Sequence, residues 1–166
     1  MKRMSRQIRS ASKRRATVMS ALGFSIKKSL QELEGTAWGK PDRSDTGLVK
    51  TCYRLHRVPL QDFTPGDLRV MIGQQIGLDF LIPLALEHVE RDPLVEGSFY
   101  PCDLLVAILI IHVEFWQRHP DLRARALQVA ERAIELFPSR PDVATKTVTR
   151  AVTRTYADFQ KKSGVA

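Results

Sequence analysis

The chain has 166 residues, 43% of them hydrophobic and 27% charged, enough for one core without disulfide or metal staples. Its longest apolar run, Leu104 to Ile111, covers eight residues, far short of the roughly 20 that span a bilayer, and no apolar run follows the basic N-terminus as in a secretory signal. The net charge of +8 is uneven: residues 1–20 hold seven basic and no acidic residues, 21–61 seven and four, 62–121 three and ten, and 122–166 nine and four.

The middle therefore carries a net charge of −7 between basic ends. A high overall isoelectric point would suggest nucleic acid, but most of the excess lies in a segment that reads as a disordered tail. The acidic middle points to a basic partner. Cys52 and Cys102 fit a reduced, cytoplasmic setting better than a disulfide framework.

Residues 1–20 lack aromatic residues and any periodic apolar face and read as the tail; residues 21–166 read as one helical domain. Met19 stands directly before the first periodic segment, so a translation start there, with residues 1–18 outside the native protein, is an alternative reading. A first helix is expected from the cap residue Ser25 to Glu34, with Ile26, Leu30 and Leu33 on one side and Gly35 as its stop. A loop with Trp38, Gly39, Pro41 and Gly47 follows. The next helix carries Leu48, Cys52, Leu55 and His56 on a stripe and ends before Pro59.

Thr64, Pro65 and Asp67 form the clearest helix start in the chain: an N-cap, a proline at the first position and a capping box with Asp in place of Glu. Gly77 is expected to end that helix. The segment "LDFLIPLALEHVER" should form the next, with Pro83 near its first turn and Pro93 beyond its end. "PCDLLVAILIIHVEFWQRH" is apolar all round through Ile111 and reads as a central buried helix. Two more helices start at Pro-Asp pairs, one placing Leu122, Ala126, Ala130, Ala133, Ile134 and Phe137 inward, the last Val148, Ala151, Val152 and Phe159. The fold class is all-α, a single globular domain of about seven helices.

No catalytic pattern emerges. His56, His88, His112 and His119 are not paired at helical spacing and no C-x-x-C exists, so neither a metal nor another cofactor is expected. Cys52 and His56 share a face but are two ligands at most, and read as packing. "GQQIG" lacks the lysine and the preceding strand of a phosphate loop. In "DLRVMIGQQIGLDFLIP" (67–83) Gly73 is expected to admit a neighbouring helix closely, and Arg69, Gln74 and Gln75 to fix the Trp38 loop or face a partner.

Three stretches, "LQELEGTAWGKP" (30–41), "LVKTCYRLHRVPLQDFTPGDLRVMIGQQIGLDFLIPLALEHVERDPL" (48–94) and "EGSFYPCDLL" through "FW" (96–116), together resemble the all-helical immunity proteins of bacterial contact-dependent growth inhibition (CDI) systems. The motif positions are Trp38, Gly39, Pro41, Asp67, Arg69, Gly73, Gln74 and Gly77. The basic tail and the C-terminal "TKTVTRAVTRTYADFQ" depart from the pattern. The resemblance implies a cytoplasmic, non-enzymatic protein that binds the C-terminal toxin domain of a cognate effector, often a nuclease, and occludes it.

A nuclease offers a basic groove, and carboxylates presented to it raise association rate and specificity. Glu90, Asp92 and Glu96 flank the loop holding Phe99 and Tyr100, and these five residues are the expected toxin-binding surface, with Asp103 expected to favour the following helix's N-terminus. The alternative is a small helical nucleic-acid-binding regulator using the basic N-terminal arm, although no recognition helix is evident.

Overall fold

The computed structural model describes residues 23–163, so the expectations for residues 1–20 and for Met19 lie outside it. It is all-α, with eight α-helices, two short 3-10 turns and no strand among the described residues. No helix among them is long and apolar enough to cross a membrane. The chain divides into two compact units, one up to Asp62 and one from Phe63.

In the first unit α1 is Leu30–Glu34 and α2 is Gly47–Leu55. The first helix starts five residues later than Ser25 because Ser29 is its cap: the Ser29 hydroxyl accepts the Glu32 N–H at 3.3 Å, and the Glu32 carboxylate accepts the Ser29 N–H at 2.8 Å. The carbonyls of Ile26 and Lys28, which an earlier helix would need, accept the N–H groups of Gln61 and Leu60 instead. Gly35 ends α1 in the left-handed conformation (φ 65°), as expected. On α2, capped by Thr46, Cys52 and Leu55 are buried and so is His56 just beyond it, while Leu48 is exposed.

The second unit holds α3 (Pro65–Gly73), α4 (Leu78–Arg91), α5 (Asp103–Leu109), α6 (Val113–Arg118), α7 (Pro120–Leu136) and α8 (Lys146–Ser163). The start of α3 is as the sequence predicts: the Thr64 hydroxyl accepts the Asp67 N–H and the Asp67 carboxylate accepts the Thr64 N–H. Its end is not. The last helical residue is Gly73; Gln75 takes the left-handed conformation (φ 60°), its N–H donating to Ile72 O and that of Ile76 to Met71 O. This is the Schellman closure that glycine usually makes. Gly77, also left-handed (φ 63°), instead opens α4, and its carbonyl accepts the N–H groups of Phe80 and Leu81. Pro83 is the sixth residue of α4, past the first turn, and is buried.

Helix α5 is the central buried element: Leu104, Leu105, Ala107 and Ile108 are buried, and it packs on α3, α4, α7 and α8. It is shorter than its apolar run. At His112 the backbone turns extended (ψ 141°) and the N–H donates to the Gln75 side-chain oxygen at 3.2 Å, so one expected helix becomes α5 and α6, with Ile110 turned to solvent. Helix α8 likewise starts at Lys146, not at the Pro-Asp pair: Thr145 Oγ1 accepts the Val148 N–H, while Asp142 pairs with Arg140. Its Val148, Val152 and Phe159 are buried, the last edge-on to Trp116 of α6.

The two glycines of interest exchange roles. A Cβ at Gly73 would meet nothing within 4 Å, so no neighbouring helix depends on its smallness. A Cβ at Gly66 would lie 2.6 Å from Ser98 Oγ and 2.7 Å from the Gly97 carbonyl oxygen, so the close approach is there. Gly73→Ala should therefore raise stability by roughly 0.4–1 kcal/mol, by lowering the entropy of the unfolded chain at a helical site with room for a methyl group. Urea denaturation checks this; a lower midpoint would mean that Gly73 is packed after all.

Candidate interaction surface

The segment from Glu90 to Asp103 leaves the last turn of α4, forms a loop and enters α5. Backbone pairing closes it: Val95 N–H donates to Asp92 O, Cys102 N–H to Val95 O, and Glu96 bridges to Pro101. Cys102 takes the left-handed conformation (φ 69°) at the turn into α5, an uncommon choice for a residue other than glycine.

The cause lies in Asp103, whose residue is only 2% exposed. Its carboxylate does not cap α5, where no side-chain cap bond forms. It reaches back and accepts three consecutive N–H groups, those of Gly97, Ser98 and Phe99, at 2.5, 2.9 and 3.0 Å. Arg69 Nε completes the set at 3.2 Å. A buried charge is tolerable only when donors surround it, and here they are the loop's own amides and a guanidinium from α3. Arg69 and Gln75 thus have partners within the second unit, at Asp103 and His112.

The five expected contact residues differ in availability. Glu90 is committed internally: Arg125 of α7 grips its carboxylate with two bonds, at 2.6 and 2.9 Å, and Arg132 donates to its carbonyl. The same hydrogen bonding holds the Arg125 guanidinium above its ordinary pKa. Asp92 turns one oxygen to the Leu94 N–H at 3.0 Å and is otherwise exposed, as is Glu96. Tyr100 is half-buried; burial, then the Asp103 charge, push its hydroxyl above the ordinary range. Phe99 is the outlier at 69% exposed, the most open large hydrophobic residue among those described. One face of its ring is covered by the Arg69 guanidinium, 4.2 Å from the ring centroid. Asp103 and Arg69 are the site residues that sequence reading assigned to other tasks; their common signal, a buried acid paired with an arginine 34 positions away, is tertiary.

The first unit, taken by itself, gathers its motif residues around His56. Trp38 stacks on His56 with ring centroids 3.9 Å apart and meets Tyr53 edge-on, His56 Nε2 lies 2.9 Å from Glu34, and the Gly39 carbonyl accepts from Arg57. Gly39 is left-handed (φ 77°). These contacts pin the loop holding Trp38 and Pro41 onto α2.

No group of three or more His, Cys, Asp or Glu side chains among the described residues could hold a metal ion. Both cysteines are buried, and burial, followed by the charges of Asp92 and Asp103, pushes the Cys102 thiol up to about 12, far from a nucleophile at neutral pH. A second histidine–carboxylate contact, His119 with Asp79 at 3.0 Å, is partly exposed and joins the end of α6 to the start of α4. The arrangement suits binding: a rigid loop, exposed carboxylates and an aromatic ring held in water.

A family model described as CDI immunity proteins matches residues 32–126, more than half of the chain. No curated protein and no solved structure is significantly similar to it. The matched stretch takes in the Trp38–His56 cluster, the Asp103 cradle and all five expected contact residues. The chain belongs to the CDI immunity proteins, a family whose members neutralise a cognate toxin.

Proposed function

We propose that the chain acts in the cytoplasm as a stoichiometric inhibitor of a nuclease toxin domain, seating the loop between Asp92 and Tyr100 over the toxin's active-site groove. The observation that carries this reading is Phe99, 69% exposed on a loop whose amides are held by the Asp103 carboxylate. Exposed aromatic side chains on rigid frames are the anchors around which interfaces concentrate their energy. Asp92 and Glu96 are exposed beside it in sequence and supply carboxylates where a nuclease would otherwise receive phosphates. Glu90 contributes by fixing the root of the loop to α7 through Arg125. Occlusion of this kind requires no turnover, only a complex that outlasts the toxin's opportunity to act.

Co-expression with the toxin domain of the cognate effector should restore growth, and the two chains should elute as one complex from a sizing column. Growth arrest with no complex would refute the assignment for that pair. Replacing Asp92 and Glu96 together by lysine should slow association roughly tenfold at low salt, with the difference shrinking as salt rises, because long-range steering is screened. The helical circular dichroism should not change. Phe99→Ala should weaken binding by about 2 kcal/mol, roughly 30-fold, mainly through faster dissociation. Wild-type affinity in both variants would move the interface elsewhere.

A further inference from the structure

We infer that Arg69 and Asp103 are positioning residues for toxin recognition, a clamp that holds the 97–99 backbone and the Phe99 ring in their docked geometry before the partner arrives. This rests on the reading of that loop as the toxin contact.

The loop is built more rigidly than loop closure alone requires. Asp103 gives up water to bind three successive N–H groups, and Arg69 neutralises it from α3. Glycine is required at two places for this geometry to exist. A Cβ on Gly97 would lie 2.7 Å from Asp103 Oδ1 and 3.2 Å from Arg69 Cβ and Cδ, and one on Gly66 would strike Ser98 Oγ and the Gly97 carbonyl. Cys102 accepts a left-handed backbone so that Asp103 can face back into the loop. The product of all these constraints is not a buried loop but a phenylalanine presented to solvent. Strain and buried charge spent on an exposed aromatic ring are what pre-organisation for a partner looks like.

Arg69 is the hinge of the device because its guanidinium does two jobs. Nε pairs with the carboxylate that fixes the backbone, and the planar face backs the ring. Lysine would keep the charge for Asp103 but not the flat surface that backs the ring. A partner pocket must therefore take Phe99 by its edge and its one uncovered face.

The test is a double-mutant cycle on the full-length protein, using the purified, catalytically inactivated toxin domain of the cognate effector. Arg69→Lys should weaken binding roughly tenfold, as expected if the competent loop geometry falls to about a tenth of the population. It should also speed hydrogen exchange at the Gly97, Ser98 and Phe99 amides in the free protein while leaving helical content intact. In a Phe99→Ala background the same change should cost less than about twofold, because there is no ring left to position. Gly66→Ala, which displaces the loop without touching a charge, should reproduce the loss. If Arg69→Lys binds like wild type while Phe99→Ala does not, or if it costs as much with Phe99 absent, the clamp is refuted. Wild-type affinity for Phe99→Ala would refute the docking reading on which it rests.

Discussion

A carboxylate sealed from water must be given donors, and much of the second unit is arranged to supply them to Asp103. Left unpaired, that charge would cost several kcal/mol, a large share of the stability of a small domain. The donors come from the loop before α5 and from α3, so satisfying the charge also fixes where α3, the loop and α5 stand relative to one another. The core of α5 then follows: once Asp103 sets its first turn, Leu104, Leu105 and Ile108 enter the interior between the flanking helices. One polar constraint thus determines the register of an apolar element.

Acidic residues in this chain divide into two populations that charge counting cannot separate. Asp103, Glu90, Asp79 and Asp67 are engaged with Arg69, Arg125, His119 and the start of α3, and hold helices to one another or close their ends. Asp92 and Glu96 stay exposed. The net of −7 over residues 62–121 therefore overstates the field a partner would meet, since part of it is cancelled by Arg125, a cation from the following segment. What survives is smaller and more local: two carboxylates close in sequence to an exposed aromatic ring, a combination that can steer and anchor at one place.

Periodicity and end signals made the helices legible. The Thr64–Asp67 box, Gly35 and the buried faces of α2, α5 and α7 lie where apolar spacing and cap chemistry place them. Two of the failures share one physical origin, a tertiary contact that outbids a local preference. Gln75 adopts the left-handed turn at which glycine is expected, and its side chain takes the His112 N–H, ending α5 early in an unbroken apolar run. Ser29 displaces Ser25 as a cap because Leu60 and Gln61 claim the preceding carbonyls. Of the site, the acids and aromatic residues were legible by composition, but the commitment of Glu90 to Arg125 and the backward reach of Asp103 were not, since both depend on residues more than 30 positions away or on a loop conformation.

The motif stretch around residues 67–77 therefore carries two roles. Gln75 and Gly77 shape the passage from α3 to α4, which is scaffold work. Arg69, on α3 itself, reaches the loop that bears Phe99. A scaffold signature that includes such a residue is tied to the surface it supports: Phe99 keeps its place only while Gly66 and Gly97 allow the approach and an acid stands at 103. Under the proposed docking, the entropy of ordering this loop is met by the fold and not by the partner.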